Sequence, residues 1–300
     1  MPRASTRAAA QPASPLAQAI ASDLDRQRAT GSLRLISIPP CPALLVRLQA
    51  VLAMAEPDLQ EVARIASSDV AMCATLLRNA NSAQYSADQP VRTVGQAMNR
   101  LGLDASAHLL TTTLLRQAIR ADHPRLQRFW ERSAQRAAAM HHLAKKLPGV
   151  SPELAQLFGL FCHVGIPVLL QRMPGYSATL AEAQARKDRS GIDTENHNHR
   201  TDHAVVGALV ARVWQVSPAV MAAIRLHHDP TLLNSKGQDA EVQALVALAV
   251  IANGIVHERE GQPHEQGWAQ QATAARDCLG IGEDEIGDWS HELQKVLDQV

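Results

Sequence analysis

Leu157-Phe158-Gly159-Leu160-Phe161-Cys162-His163-Val164-Gly165-Ile166 is an apolar run broken by a single imidazole, and its reading decides the fold. Upstream stand Ser151 and Pro152, an N-cap followed by proline at the first helical position. That pair opens a helix, and the unbroken apolar run after it predicts a buried one. The apolar runs 157–170 and 245–252 fall short of the roughly 18–20 residues that span a bilayer, and the first contains His163 and Pro167. No membrane insertion is expected. Val164 follows His163, and an isopropyl side chain cannot ligate a hard cation.

Outward from this run the helical period continues in both directions. Ser217-Pro218 repeats the Ser-Pro opening, Val205, Leu209 and Val213 share one face, and Val220, Ile224 and His227 share another. An Ala-rich helix over 130–147 stops at Pro148-Gly149, a buried one runs over about 241–257, and an amphipathic one closes the chain after Asp284. Towards the N-terminus, Ile38-Pro39-Pro40-Cys41-Pro42 forces an extended entry. Leu44, Leu45, Leu48 and Val51 then form a stripe. Asp58 (with Glu61 as its capping partner), Asp69 and Thr93 each cap a further helix, and Gly102 ends the last of these before Asp104 opens the next. Residues 1–30, rich in Ala, Ser, Arg and Gln, are expected to be a flexible extension. Few segments alternate with period two and aromatic residues are only 3%, so the fold class is all-α.

Composition narrows the function classes. Lys+Arg and Asp+Glu are each 29, so the formal charge is zero and no nucleic-acid partner is expected. Cys41, Cys73, Cys162 and Cys278 form no C-x-x-C pair, which fits a reducing, cytoplasmic setting. The N-terminal stretch has arginines but no apolar core of a secretory signal. No phosphate-binding glycine loop and no G-x-S-x-G elbow occurs.

Taken in order, several motifs resemble the HDOD domain, a relative of the HD and HD-GYP phosphohydrolases. They are the Ile38-Pro39-Pro40-Cys41-Pro42 entry, Asp69-Val70 through Arg78-Asn79-Ala80-Asn81-Ser82-Ala83-Gln84-Tyr85, Ala97 to Leu101-Gly102, and Trp130. The His163 run, Asp202-His203-Ala204-Val205-Val206-Gly207, and Leu226-His227-His228-Asp229-Pro230 complete the set. The resemblance implies a multi-helix fold, a helical N-terminal half packed on a degenerate HD-like half. The HDOD domain would cover 33–232, with helices of 233–300 completing it. It also implies a signalling role through proteins or small ligands, such as cyclic-dinucleotide or motility regulators.

The same resemblance places the four HD metal positions at Arg132, His163, Val164 and Asn253, three of which are poor ligands or none. No catalytic residue, cofactor or metal is therefore expected. Arg132, His163, Val164, Asn253, His203, His227 and His228 are expected to line a cleft between the halves. His203, His227 and His228 fall where HD-GYP relatives carry ligands, so a His-rich metal site on a phosphohydrolase is the competing reading. Core histidines bonded to neighbours outweigh it, because Val164 and Arg132 stand in the metal positions and metal sites also need carboxylates behind their imidazoles. His197-Asn198-His199 is read as a solvated polar linker, and Asp69, Asn79, Asn81 and Ser82 as helix-end residues.

Overall fold

The computed structural model describes residues 13–30, 32–82, 90–119, 123, 126–235, 239–261 and 267–298, and among them every regular element is helical. The first half holds α1 (Pro15–Thr30), α2 (Ala43–Leu52), α3 (Leu59–Ser67), α4 (Val70–Ala80), α5 (Val94–Leu101) and α6 (Leu103–Ala118). The second half begins with the long α7 (Leu126–Ala144), followed by α8 (Pro152–Phe161), α9 (Gly165–Arg172), α10 (Tyr176–Ala185) and α11 (Gly191–His199). It ends with α12 (His203–Val213), α13 (Pro218–Leu226), α14 (Ala240–Arg259), α15 (Trp268–Leu279) and α16 (Glu283–Leu297).

The caps explain why the chain breaks where it does. Asp58 accepts from the backbone N–H groups of Gln60 and Glu61, and Asp69 from Met72. Thr93 and Gln96 close a full capping box on α5. Glu61, expected to complete the Asp58 cap, instead pairs with Arg47 at 2.6 Å and Arg64 at 2.8 Å. Asn81 clamps the backbone of Val91 from both sides, donating to its carbonyl at 2.8 Å and accepting from its N–H at 2.7 Å. Asn79 donates back to Thr75 O within α4, and the N–H of Ser82 bonds Asn79 O. The Asn-x-Asn-Ser motif therefore shapes the exit of α4; its continuation through Tyr85 lies outside the described residues.

Two expectations are corrected here. Residues 15–30, read as flexible, form α1, with Ala17 and Leu24 each 1% exposed. Its polar composition hid a sparse stripe at helical spacing that packs on α12 and α13, tied by Arg212 to Asp25 at 2.9 Å. Residues 197–199, read as a linker, are the last turn of α11, begun by the Ser190 cap on Asp193 N–H. The apolar stretches also run further than the bare runs: Pro152–Arg172, shared by α8 and α9 across the turn at 162–164, and Ala240–Arg259 are long and apolar enough to cross a membrane by length and composition. Both lie largely inside the fold, where α7 packs on α8 and α14 on α7, α13 and α15.

Candidate metal centre

One close approach positions the site. Gly165 opens α9 directly against α12: a Cβ there would stand 2.1 Å from His203 O and 2.8 Å from Gly207 N, both backbone atoms. Only glycine permits that distance. It brings the turn carrying His163 beside His203, the first residue of α12, while α13 ends at Leu226 and delivers His227 and His228 to the same point. One ligand-capable nitrogen from each of His163, His203, His227 and His228 falls within 4.8 Å of the others.

The rings are fixed by their outer nitrogens. Nδ1–H of His227 donates to Ile224 O at 2.7 Å, which leaves its Nε2 lone pair buried and without a partner. His203 is 5% exposed; its Nδ1–H donates to Glu195 Oε1 at 2.8 Å, and its Nε2 stands 3.1 Å from Nε2 of His228. Glu195 is itself buried, its Oε2 accepting from Tyr176 O–H at 3.0 Å and from the His203 backbone N–H at 2.7 Å. Tyr176, Glu195 and His203 thus form a chain in which a carboxylate orients an imidazole, the arrangement that supports a metal-ligating histidine.

Electrostatics keep the rings available as neutral donors. Burial drives His163 well below its ordinary value, and the Arg136 guanidinium and the other imidazoles push it further. Burial and then His228 and His203 do the same to His227, and burial with His203 takes His228 down to about 3. Burial, then Glu195, drives the Tyr176 phenol upward, so it stays a hydrogen-bond donor. Two buried carboxylates, Glu195 and Asp202, stand against one buried guanidinium, Arg136. That guanidinium is held by Gly159 O at 2.7 Å and Ser133 Oγ at 3.4 Å. The surplus of negative charge offsets part of what a dication would add.

A tetrahedral zinc–imidazole site has metal–nitrogen bonds of about 2.0–2.1 Å and hence nitrogen–nitrogen edges of about 3.4 Å. The 3.1 Å pair and the 4.8 Å spread bracket that edge, so the donor set fits a borderline transition-metal ion with small ring adjustments. It does not fit magnesium or calcium, which need oxygen ligands.

The other residues expected in that cleft have these surroundings. Val164 is fully buried, its methyl group facing Gly207 across the α9–α12 contact. Arg132 is bound by Glu260, its Nε donating at 3.0 Å, and it ties α7 to the end of α14. Burial pushes the Glu260 carboxyl up, but Arg132 and Arg128 outweigh it and hold the group low. Asn253 is half-buried on α14, and its side chain makes no hydrogen bond among the described residues. The histidines themselves all come from the second half. Glu195, Tyr176 and Arg136 were missed: Glu195 lies in a polar segment just before the 197–199 stretch read as a linker, and a sequence gives no sign that it folds back beneath His203.

Comparison with known proteins agrees with this fold. The HDOD domain profile matches residues 38–230. A relative from Treponema pallidum (strain Nichols), of uncharacterised function, is 24% identical over 236 residues. The match covers 78% of this chain, which spans only 45% of that relative. Among solved structures, a protein from Marinobacter aquaeolei VT8 provisionally assigned to signal transduction superposes with a TM-score of 0.74 at 20% identity, covering 94% of this chain and 64% of that one. An HDOD domain protein of unknown function from Geobacter sulfurreducens gives 0.69 at 19% identity, covering 94% and 98%. One from Shewanella amazonensis SB2B, provisionally classed as a phosphohydrolase, gives 0.66 at 22%, covering 94% and 97%.

Proposed function

The chain belongs to the HDOD domain family, and on that footing we propose a regulatory binding module, without phosphoester turnover, built around one transition-metal ion on His163, His203, His227 and His228. The observation that carries the reading is the ligand set: four imidazoles and no carboxylate. Four protein donors complete a tetrahedral ion, the closed pattern of structural zinc sites, whereas hydrolytic sites leave a position for water. Among the described residues no carboxylate stands with these histidines to bridge a second cation, and the position after His163 is a buried valine. A bound ion would supply cross-linking of α9, α12 and the end of α13, and with it a metal-dependent surface for a signalling partner. Cyclic-dinucleotide and motility regulators, in a cytoplasmic setting, are the partners that the family resemblance suggests.

The test is turnover by the metal-loaded chain. After loading with Zn²⁺, Co²⁺, Fe²⁺ or Mn²⁺, the protein is expected to bind one ion and to leave bis-(p-nitrophenyl) phosphate and cyclic dinucleotides intact. Hydrolysis that vanishes in His228→Ala would replace this reading with the phosphohydrolase one.

A further inference from the structure

A half-open cavity of about 200 Å³, sharing no residue with the histidine centre, lies where the end of α5 meets α6, α7, α8 and α16. Apolar Leu101, Ala105, Leu109, Ala138 and Val296 share its lining with Gln156 and with Asp104, His108, His141 and His142. One polar group among them is unresolved by the fold. His108 is 5% exposed, and its Nδ1 faces Gln156 Nε2, an amide donor, at 3.3 Å. That nitrogen must accept, so the ring proton sits on Nε2, which is buried with no acceptor. Burial, with the charge of His141 added, takes His108 down to about 4, so the ring stays neutral with this one proton. An unmet buried donor is costly enough to need a cause.

The charged groups at the rim narrow the ligand class. Asp104 is taken by His141 at 3.2 Å and Lys145 at 2.7 Å, and Glu292 by His142 at 3.1 Å and Lys146 at 2.6 Å. Each cation already faces a carboxylate, so an anionic ligand would find none to spare. Apolar cavities of about 150 Å³ hold a benzene ring, so this one has room for a ring with a small substituent.

We propose that this cavity is a binding site for a small neutral ring compound presenting a carbonyl oxygen to Nε2–H of His108. Because Val296 lines it, occupancy also pins α16 against the body of the fold. The inference is independent of the metal reading, and chelation leaves it untouched.

The experiment titrates the full chain with acetophenone and with ethylbenzene, which has a similar ring and tail but no acceptor, following the His108 imidazole and the Ala105 and Ala138 methyl resonances by NMR. Saturable acetophenone binding at least five-fold tighter than ethylbenzene is expected, with the His108 Nε2–H resonance displaced and the preference lost in His108→Phe. No saturable acetophenone binding up to its solubility limit, or equal affinity for both compounds in the wild-type chain, overturns the proposal. If His108→Phe does not fold, Ala138→Leu fills the cavity from α7. Acetophenone binding that persists unchanged in that variant also overturns the assignment.

Discussion

Replacing Glu195 by Gln alters one atom of a buried carboxylate and, through it, the tautomer of His203. Glu195 Oε2 accepts from two donors, Tyr176 O–H at 3.0 Å and the His203 backbone N–H at 2.7 Å. The backbone donor cannot turn round, so the glutamine oxygen must occupy that position. Its NH₂ then faces His203 Nδ1, now 2.8 Å from Oε1, and that nitrogen must accept instead of donate. The ring proton moves to Nε2 and removes the lone pair that His203 turns toward His228 and would give to a metal ion. Exchanging charge-assisted hydrogen bonds for neutral ones costs about 1–2 kcal/mol in the metal-free protein. Loss of an orienting carboxylate weakens metal affinity about 10–100-fold, or about 1.4–2.7 kcal/mol. At free Zn²⁺ of about 1,000 times the wild-type Kd, the zinc stabilisation of about 4.1 kcal/mol should fall to about 2.7–1.4 kcal/mol. Urea unfolding in zinc buffers measures this difference, and long-range ¹H–¹⁵N histidine spectra report the tautomer. Undiminished zinc stabilisation in a variant whose His203 proton has moved to Nε2 would refute the reasoning, since a protonated nitrogen cannot ligate.

Further predictions follow from the same geometry. Gly165→Ala drives a methyl group into His203 O and should cost about 1–3 kcal/mol of stability while loosening zinc binding, seen together in denaturation with and without zinc. Arg132→Ala should cost about 1 kcal/mol through its partly exposed pair with Glu260 and leave zinc affinity unchanged, checked by urea unfolding and zinc titration. His228 titrates at about 3 folded against about 6.5 unfolded, so below pH 6.5 the unfolded chain binds more protons. Metal-free stability should therefore fall as pH drops from 6.5 towards 3, by about 1.4 kcal/mol per unit for this group, with His163 and His227 adding in the same direction. Unfolding at stepped pH measures the slope, and stability unchanged between pH 6.5 and 5 would contradict the neutral cluster.

The all-α class was legible because period and caps agree: Asp58, Asp69, Thr93 and Ser151 cap helices at the positions their spacing predicts. The four histidines were legible as candidates through the family resemblance, which sets His163 at an HD position and His203, His227 and His228 where HD-GYP relatives carry ligands. Their convergence was not, because it depends on Gly165 meeting the backbone of His203, a contact between residues far apart in sequence. Glu195 escaped notice because its neighbours are polar; burial comes from α10 and Tyr176 folding over it, which composition cannot register. α1 was missed for a related reason, its apolar stripe being too sparse to stand out among alanines and polar residues. Arg132 was placed correctly on α7, but its charge goes to Glu260, 128 residues away.

The most direct test of the central claim is the metal content of the untagged chain, purified without chelator and measured by plasma mass spectrometry beside its His163→Ala and His228→Ala variants. One transition-metal ion per wild-type chain, lost in both variants while they remain folded, is the predicted result. A wild-type chain that carries no stoichiometric metal and takes up neither Zn²⁺ nor Co²⁺ at micromolar concentration would contradict the account, leaving the four imidazoles as packing.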